Sequence, residues 1–112
     1  MEKTAMDLVQ EAKSVITEVT VSQAKALLST GSIALDVREV AEYSARHIAD
    51  AHHIPRGLLE FTIGANPHFQ DKSAAIIVYC KTGGRSALAT KVLQDLGYNN
   101  VTSLQGGFDA WH

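Results

Sequence analysis

At 112 residues the chain fits one domain and is long enough to close a core without a metal or disulfide to staple it; its single cysteine excludes an internal disulfide. Apolar residues at 46% and charged residues at 20% exclude a disordered chain, and no run approaches the roughly 20 apolar residues that span a bilayer. A net charge of -2 with both signs interspersed leaves no basic field for nucleic acid or an anionic membrane surface; the acid-bearing start Met1-Glu2-Lys3-Thr4-Ala5-Met6-Asp7 argues against a secretory signal, so a cytoplasmic location is expected.

In chain order, Met6 to Val15 sets Leu8, Val9 and Ala12 on one side of a short helix, with Glu11 and Lys13 outside. This predicts an amphipathic arm over residues 1–15 packed on a core of residues 16–112. Ile16-Thr17-Glu18-Val19 alternates like a strand. Thr20 with Gln23 forms a capping box that opens a helix through Ala24, Leu27 and Leu28, which Gly31 stops. Ile33 to Val37 is the apolar run of a buried parallel strand, with a helix over Glu39 to Ala45 after it. His52-His53-Ile54-Pro55 reads as a short strand ended by proline, Leu58 to Ile63 as helix, and Gly64-Ala65-Asn66-Pro67 as loop. Ala74 to Tyr79, apolar throughout, is the expected central strand. A tight loop, Lys81 to Gly84, leads to a helix from Ser86 to Leu96; Val101 to Leu104 is the last strand, and Gly106-Gly107 precedes a short helix at Phe108 to Trp111. Strands and helices alternating at this spacing predict an α/β fold with a mainly parallel sheet. Ligands in such sheets bind outside the carboxyl ends of the strands, and Cys80 ends the most buried-looking one.

The segment Tyr79-Cys80-Lys81-Thr82-Gly83-Gly84-Arg85-Ser86 carries the chemistry. Adjacent glycines let the backbone curl and turn successive N–H groups inward, and such a ring of amides at a helix N-terminus cradles an anion. Inward amides, the positive helix end and the cations Lys81 and Arg85 together favour the Cys80 thiolate and equally a persulfide anion on it. A buried cysteine that merely ends a core strand is the alternative; likewise Lys81 can be a solvated charge and Arg85 a structural cap.

Leu35-Asp36-Val37-Arg38-Glu39, Glu42-Tyr43 with His47-Ile48, His52-His53-Ile54-Pro55, Cys80-Lys81-Thr82-Gly83-Gly84-Arg85 and Gly106-Gly107-Phe108-Asp109-Ala110-Trp111 together resemble the single-domain rhodanese-like sulfurtransferases, in the order that family has them, from about Ile16 onward. The resemblance implies a five-stranded mainly parallel sheet flanked by helices on both faces, with Cys80 as the sulfur-accepting nucleophile and Lys81, Thr82, Gly83, Gly84 and Arg85 as the loop around the persulfide. It implies no metal or organic cofactor. Asp36 and Arg38 look like the family's Asp-Val-Arg positions, either contacting substrate or forming a buried ion pair. Arg46-His47-Ile48-Ala49-Asp50-Ala51 stands where the family usually reads Gly-His-Ile-Pro-Gly-Ala, which puts the geometry of that turn in question, and relatives usually continue past Trp111, so the final helix is expected to fray.

The expected reaction is ping-pong transfer of sulfane sulfur from a small anionic donor such as thiosulfate to a thiophilic acceptor, cyanide or a cellular thiol on a small molecule or a protein. A persulfide relay serving one protein partner shares the same intermediate. A cysteine phosphatase or arsenate reductase is the rival enzyme class, but its loops carry one residue more between cysteine and arginine than the four here, and no acid stands just downstream to protonate a leaving alcohol. His52 and His53, adjacent on a strand, point to opposite faces and cannot chelate one ion; His47, His68 and His112 lack ligand spacing. Gly106-Gly107 is either a plain turn or a close approach to the cysteine loop. Phe108 and Trp111 are expected to cover the core, and Leu58 and Phe61 to pack into it or wall the entrance.

Overall fold

The computed structural model describes residues 2–112. Its regular elements are α1 (Ala5–Lys13), β1 (Glu18–Val19), α2 (Val21–Ser29), β2 (Ile33–Asp36), α3 (Val40–Ala45), β3 (His52–His53), α4 (Leu59–Thr62), β4 (Ile76–Tyr79), α5 (Gly84–Asp95) and β5 (Val101–Leu104), with short 3-10 turns after β3 and at Phe108–Ala110. The five strands form one sheet in the order β1-β5-β4-β2-β3, and every pairing is parallel. β4 lies at the centre because its four residues are buried on both faces, as an apolar run without alternation requires.

The pleat sorts the core into two layers. Leu35, Val37, Ile76, Val78 and Cys80 face Leu59 and Ile63 around α4 and Ala89 and Leu93 of α5. Ala34, Ile77, Tyr79 and Leu104 face Ala24 of α2, Ile48 and Ala51, with Tyr43 of α3 alongside. Asp36 pairs with Tyr79 in register and shares that second face. Helices therefore cover both faces, as expected. A third, smaller layer forms where Val9 and Ala12 of α1 pack on Ala87 of α5.

Three expectations are corrected. Leu8 is 46% exposed: α1 approaches α5 along the narrow stripe of Val9 and Ala12, and Leu8 lies to one side of it. Leu58 and Phe61 are 52% and 82% exposed; the buried anchors of that segment are Leu59 and Ile63, so neither packs into the core. The cysteine-loop helix starts two residues early, at Gly84, which makes the loop shorter and tighter.

The unusual turn closes nonetheless. The Ala51 N–H donates to the Ile48 carbonyl at 3.0 Å, and Asp50 takes the left-handed conformation, φ 64°, that aspartate tolerates better than most residues. Among the described residues no helix is long and apolar enough to cross a membrane.

Candidate active site

Cys80 follows the last residue of β4, and its sulfur is met at once by the turn into α5. Gly83, at φ 114°, reverses the chain in a conformation that disfavours any side chain. That reversal brings the Gly83 N–H to 3.1 Å and the Ser86 N–H to 3.3 Å from Cys80 Sγ. The Ser86 hydroxyl lies 3.5 Å from the same sulfur and 2.8 Å from the hydroxyl of Ser103 on β5. The N–H groups of Lys81, Thr82, Gly84 and Arg85 find no acceptor among the described residues, so they stand ready for an anion at the mouth of the loop. Cys80 is 1% exposed, whereas Lys81 and Thr82, which follow it in the loop, are exposed.

Gly107 packs against the loop from the far side. A methyl there would stand 2.5 Å from the Lys81 carbonyl oxygen and 2.6 Å from that of Cys80. The Phe108 N–H donates to the Cys80 carbonyl at 2.8 Å and the Asp109 N–H to the Lys81 carbonyl at 3.0 Å. The Gly106-Gly107 pair is thus a close approach to the cysteine loop, and the turn after β5 holds the loop's carbonyls outward while its amides point in.

Both cations of the loop have carboxylate partners. Lys81 Nζ sits 2.9 Å from both oxygens of Asp109. Arg85 meets Glu42 of α3 edge-on, at 2.8 and 3.1 Å. The Arg85 guanidinium holds the Glu42 carboxyl down to about 2, and Glu42 in turn raises Arg85 above its ordinary value. Glu42 is also fixed by the Glu39 N–H, 3.0 Å away; next to it in the chain, Tyr43 stacks on His47 and His53 at 3.9 and 4.5 Å. His53 Nε2 donates to the Arg38 carbonyl at 2.7 Å and His52 packs on His68 at 4.2 Å, so these histidines tie β3 to its neighbours.

Asp36 and Arg38 are buried on the sheet face opposite Cys80. The Arg38 guanidinium spans Asp36, at 2.7 Å from Nη2, and the Arg46 carbonyl, at 2.6 Å; it also lies 4.5 Å from the Phe108 ring centre. The Ile48 N–H donates to the Tyr79 hydroxyl at 3.1 Å, and burial pushes that phenol well above its ordinary value. The structure therefore joins Asp36 and Arg38 into a buried ion pair under the turn at residues 46–51, and leaves Lys81 to Arg85 at the sulfur. Ser86, Ser103, Glu42 and Asp109 belong to the same neighbourhood and were not singled out from sequence as site residues. Ser86 had a local signal, since six residues on from the cysteine is the first turn of the helix; the other three depend on tertiary pairing.

A model of the rhodanese-like domain matches residues 20–112. The chain belongs to the rhodanese-like family. It is 31% identical over 102 residues to the thiosulfate sulfurtransferase GlpE of Tolumonas auensis, covering 88% of this chain and 90% of that one. It is 34% identical over 120 residues to the Arabidopsis thaliana protein HIGH ARSENIC CONTENT 1, mitochondrial, covering 99% and 68%. The probable adenylyltransferase/sulfurtransferase MoeZ of Mycobacterium tuberculosis is 39% identical over 77 residues, but the match spans 69% of this chain and only 19% of MoeZ. Among solved structures, a Rhodopseudomonas palustris protein of unknown function, described as a possible tyrosine phosphatase, superposes with a TM-score of 0.90 at 34% identity, over 99% of this chain and 90% of that one. That coverage takes in α1, which the rhodanese-like match leaves out.

Proposed function

We propose that this rhodanese-like protein moves sulfane sulfur through a persulfide on Cys80, from a small anionic donor such as thiosulfate to cyanide or a thiol. The observation that carries the reading is the convergence of the Gly83 and Ser86 N–H groups on Cys80 Sγ, 3.1 and 3.3 Å away, with unpaired amides around them. Donors fixed before the reaction stabilise charge on sulfur without reorganising during it. Thiolate attack forms the Sγ–S bond and expels sulfite with the electron pair of the broken S–S bond. The acceptor then takes the outer sulfur, and the pair returns to Sγ. Lys81, Thr82, Gly84 and Arg85 present their amides to the charged outer sulfur. A reducing cytoplasm, where a lone thiol stays free, suits the chemistry.

The rival reading takes the same cradle as a phosphoryl site, in line with the description of the R. palustris neighbour. Two features weigh against it. The loop places four residues, Lys81 to Gly84, between cysteine and arginine, which suits one sulfur better than a tetrahedral group. Both terminal nitrogens of Arg85 are bonded to Glu42. Intact mass after mixing with thiosulfate decides between them. Wild type is expected to gain one sulfur atom and lose it to cyanide, while Cys80→Ser gains none. No adduct in wild type, together with aryl phosphate turnover that Cys80→Ser abolishes, would install the phosphatase instead.

A further inference from the structure

We infer that Ser103 is a positioning residue for this chemistry, holding the Ser86 hydroxyl so that it donates to Cys80 Sγ whenever that sulfur carries the negative charge. The inference rests on the sulfur-transfer reading and adds to it a residue on a different strand.

Ser86 and Ser103 are both 0% exposed, so each hydroxyl must find its partners inside the protein. Ser103 pairs with Val78 in register, which places it on the face of the sheet that Cys80 shares. The Ser86 oxygen lies near three groups: Cys80 Sγ at 3.5 Å, the Gly83 carbonyl at 3.3 Å and the Ser103 oxygen at 2.8 Å. It has one proton to donate and two lone pairs to fill. With Cys80 as a thiol, one arrangement satisfies every group: S–H donates to Ser86, Ser86 donates to the Gly83 carbonyl, and Ser103 donates to Ser86. Loss of the thiol proton to solvent frees one lone pair on Ser86 and creates a charged acceptor beside it. The Ser86 O–H then turns from Gly83 to Sγ, joining the two amides already there. The Ser103 O–H stays on the Ser86 oxygen, and a hydroxyl that accepts one hydrogen bond donates a stronger one.

The two half-reactions feel this differently. In loading, Sγ⁻ attacks the outer sulfur of thiosulfate and sulfite departs. A less stabilised thiolate is scarcer but also more reactive, and the two effects oppose each other. In unloading, cyanide attacks the outer sulfur, the C–S bond forms, and the Sγ–S bond breaks with its electron pair returning to Sγ as thiocyanate leaves. Here the serine pair stabilises the leaving sulfur and nothing opposes it. Removing the Ser103 hydroxyl is therefore expected to slow unloading by about twofold, the cooperative share of one charge-assisted hydrogen bond rather than the whole of it, and to change loading less.

The test is single-turnover kinetics of both halves, sulfite release for loading and thiocyanate formation for unloading, in Ser103→Ala and in the isosteric pair Ser103→Thr and Ser103→Val. Thr and Val impose the same shape and differ in the hydroxyl, so any loosening of the fold cancels between them. Unloading is expected to be slow in Ala and Val and restored in Thr. The ultraviolet absorbance of the thiolate, read on unloaded protein at matched pH, should fall in Ala and Val and hold in Thr. Equal slowing of both steps, or Thr behaving like Val, overturns the role of Ser103. Failure of wild type to take up sulfur at all refutes the transfer reading instead, and the thiolate absorbance then still decides whether the serine pair serves the sulfur.

Discussion

Gly107, packed against the cysteine loop, and Gly84, where α5 begins, answer to different physics. At Gly107 the backbone sits at φ 60°, ψ -158°, a region essentially reserved for glycine, and an added methyl would run into two backbone carbonyls. Gly107→Ala is expected to cost about 3 kcal/mol in denaturant unfolding and to abolish sulfur loading, because the Cys80 and Lys81 carbonyls must move. At Gly84 the nearest atom to an added methyl is Val9 Cγ2 at 3.7 Å, an ordinary contact. Gly84→Ala should fold at least as well as wild type and still load. Of the adjacent Gly83 and Gly84, then, only Gly83, at φ 114°, is demanded by backbone conformation. Glu42 provides a second residue-level prediction. Its folded-state carboxyl is depressed to about 2 from an ordinary 4.5, chiefly by the Arg85 hydrogen bonds. The stabilisation is therefore complete above about 4.5 and lost as pH falls from there through about 2. Since both partners are about one-third exposed, it amounts to about 1 kcal/mol. Glu42→Gln should lower the denaturant midpoint at neutral pH, and the gap to wild type should close between pH 4.5 and 2.

α1 shows how an element's period can be read correctly and its face misjudged. Its start was available in Thr4, which caps the helix reciprocally with Asp7, and the apolar spacing identified it as a packed arm. The buried stripe is narrower than three apolar residues suggest, because its partner surface on α5 is made of small groups, Ala87 and Gly84. Close helix approach leaves Ala12 at 0% exposure. Ala12→Leu is therefore expected to cost about 1–3 kcal/mol through overpacking, measured by chemical denaturation. Leu8→Ala should stay within about 0.5 kcal/mol. α5 carries the cradle at its N-terminus, so the Ala12 variant should also load sulfur more slowly. The 46–51 turn makes the complementary point. Without the family's glycines and proline its shape was in question, yet the Ile48 N–H on the Tyr79 hydroxyl and the Arg46 carbonyl on Arg38 hold it from outside. Aspartate at position 50 then supplies the left-handed residue that glycine usually provides.

At the scale of the molecule, what the sequence made legible was what is local. The α/β order, the central strand, and the cradle of Cys80 through Arg85 follow from runs of adjacent residues. The charge state of the mouth did not, because Asp109 is 28 residues from Lys81 and Glu42 is 43 from Arg85, and only strand order brings them together. Two cations that read as bait for an anionic donor are each matched by a carboxylate, on a chain whose net charge is -2. On the proposed sulfur-transfer reading, an anionic donor such as thiosulfate must therefore be drawn in mainly by amides and the helix end, at short range, while the long-range field offers no steering. Removing one carboxylate should expose the difference. Asp109→Asn frees Lys81, an exposed ammonium at the lip of the loop, and is expected to raise kcat/KM for thiosulfate by about two- to fivefold at low ionic strength. The gain should shrink toward wild type as added salt brings the screening length to about 8 Å at 0.15 M and below. An unchanged kcat with a lowered KM would place the effect in donor capture. A gain indifferent to salt would mean that Asp109 acts through the loop's shape rather than through its charge.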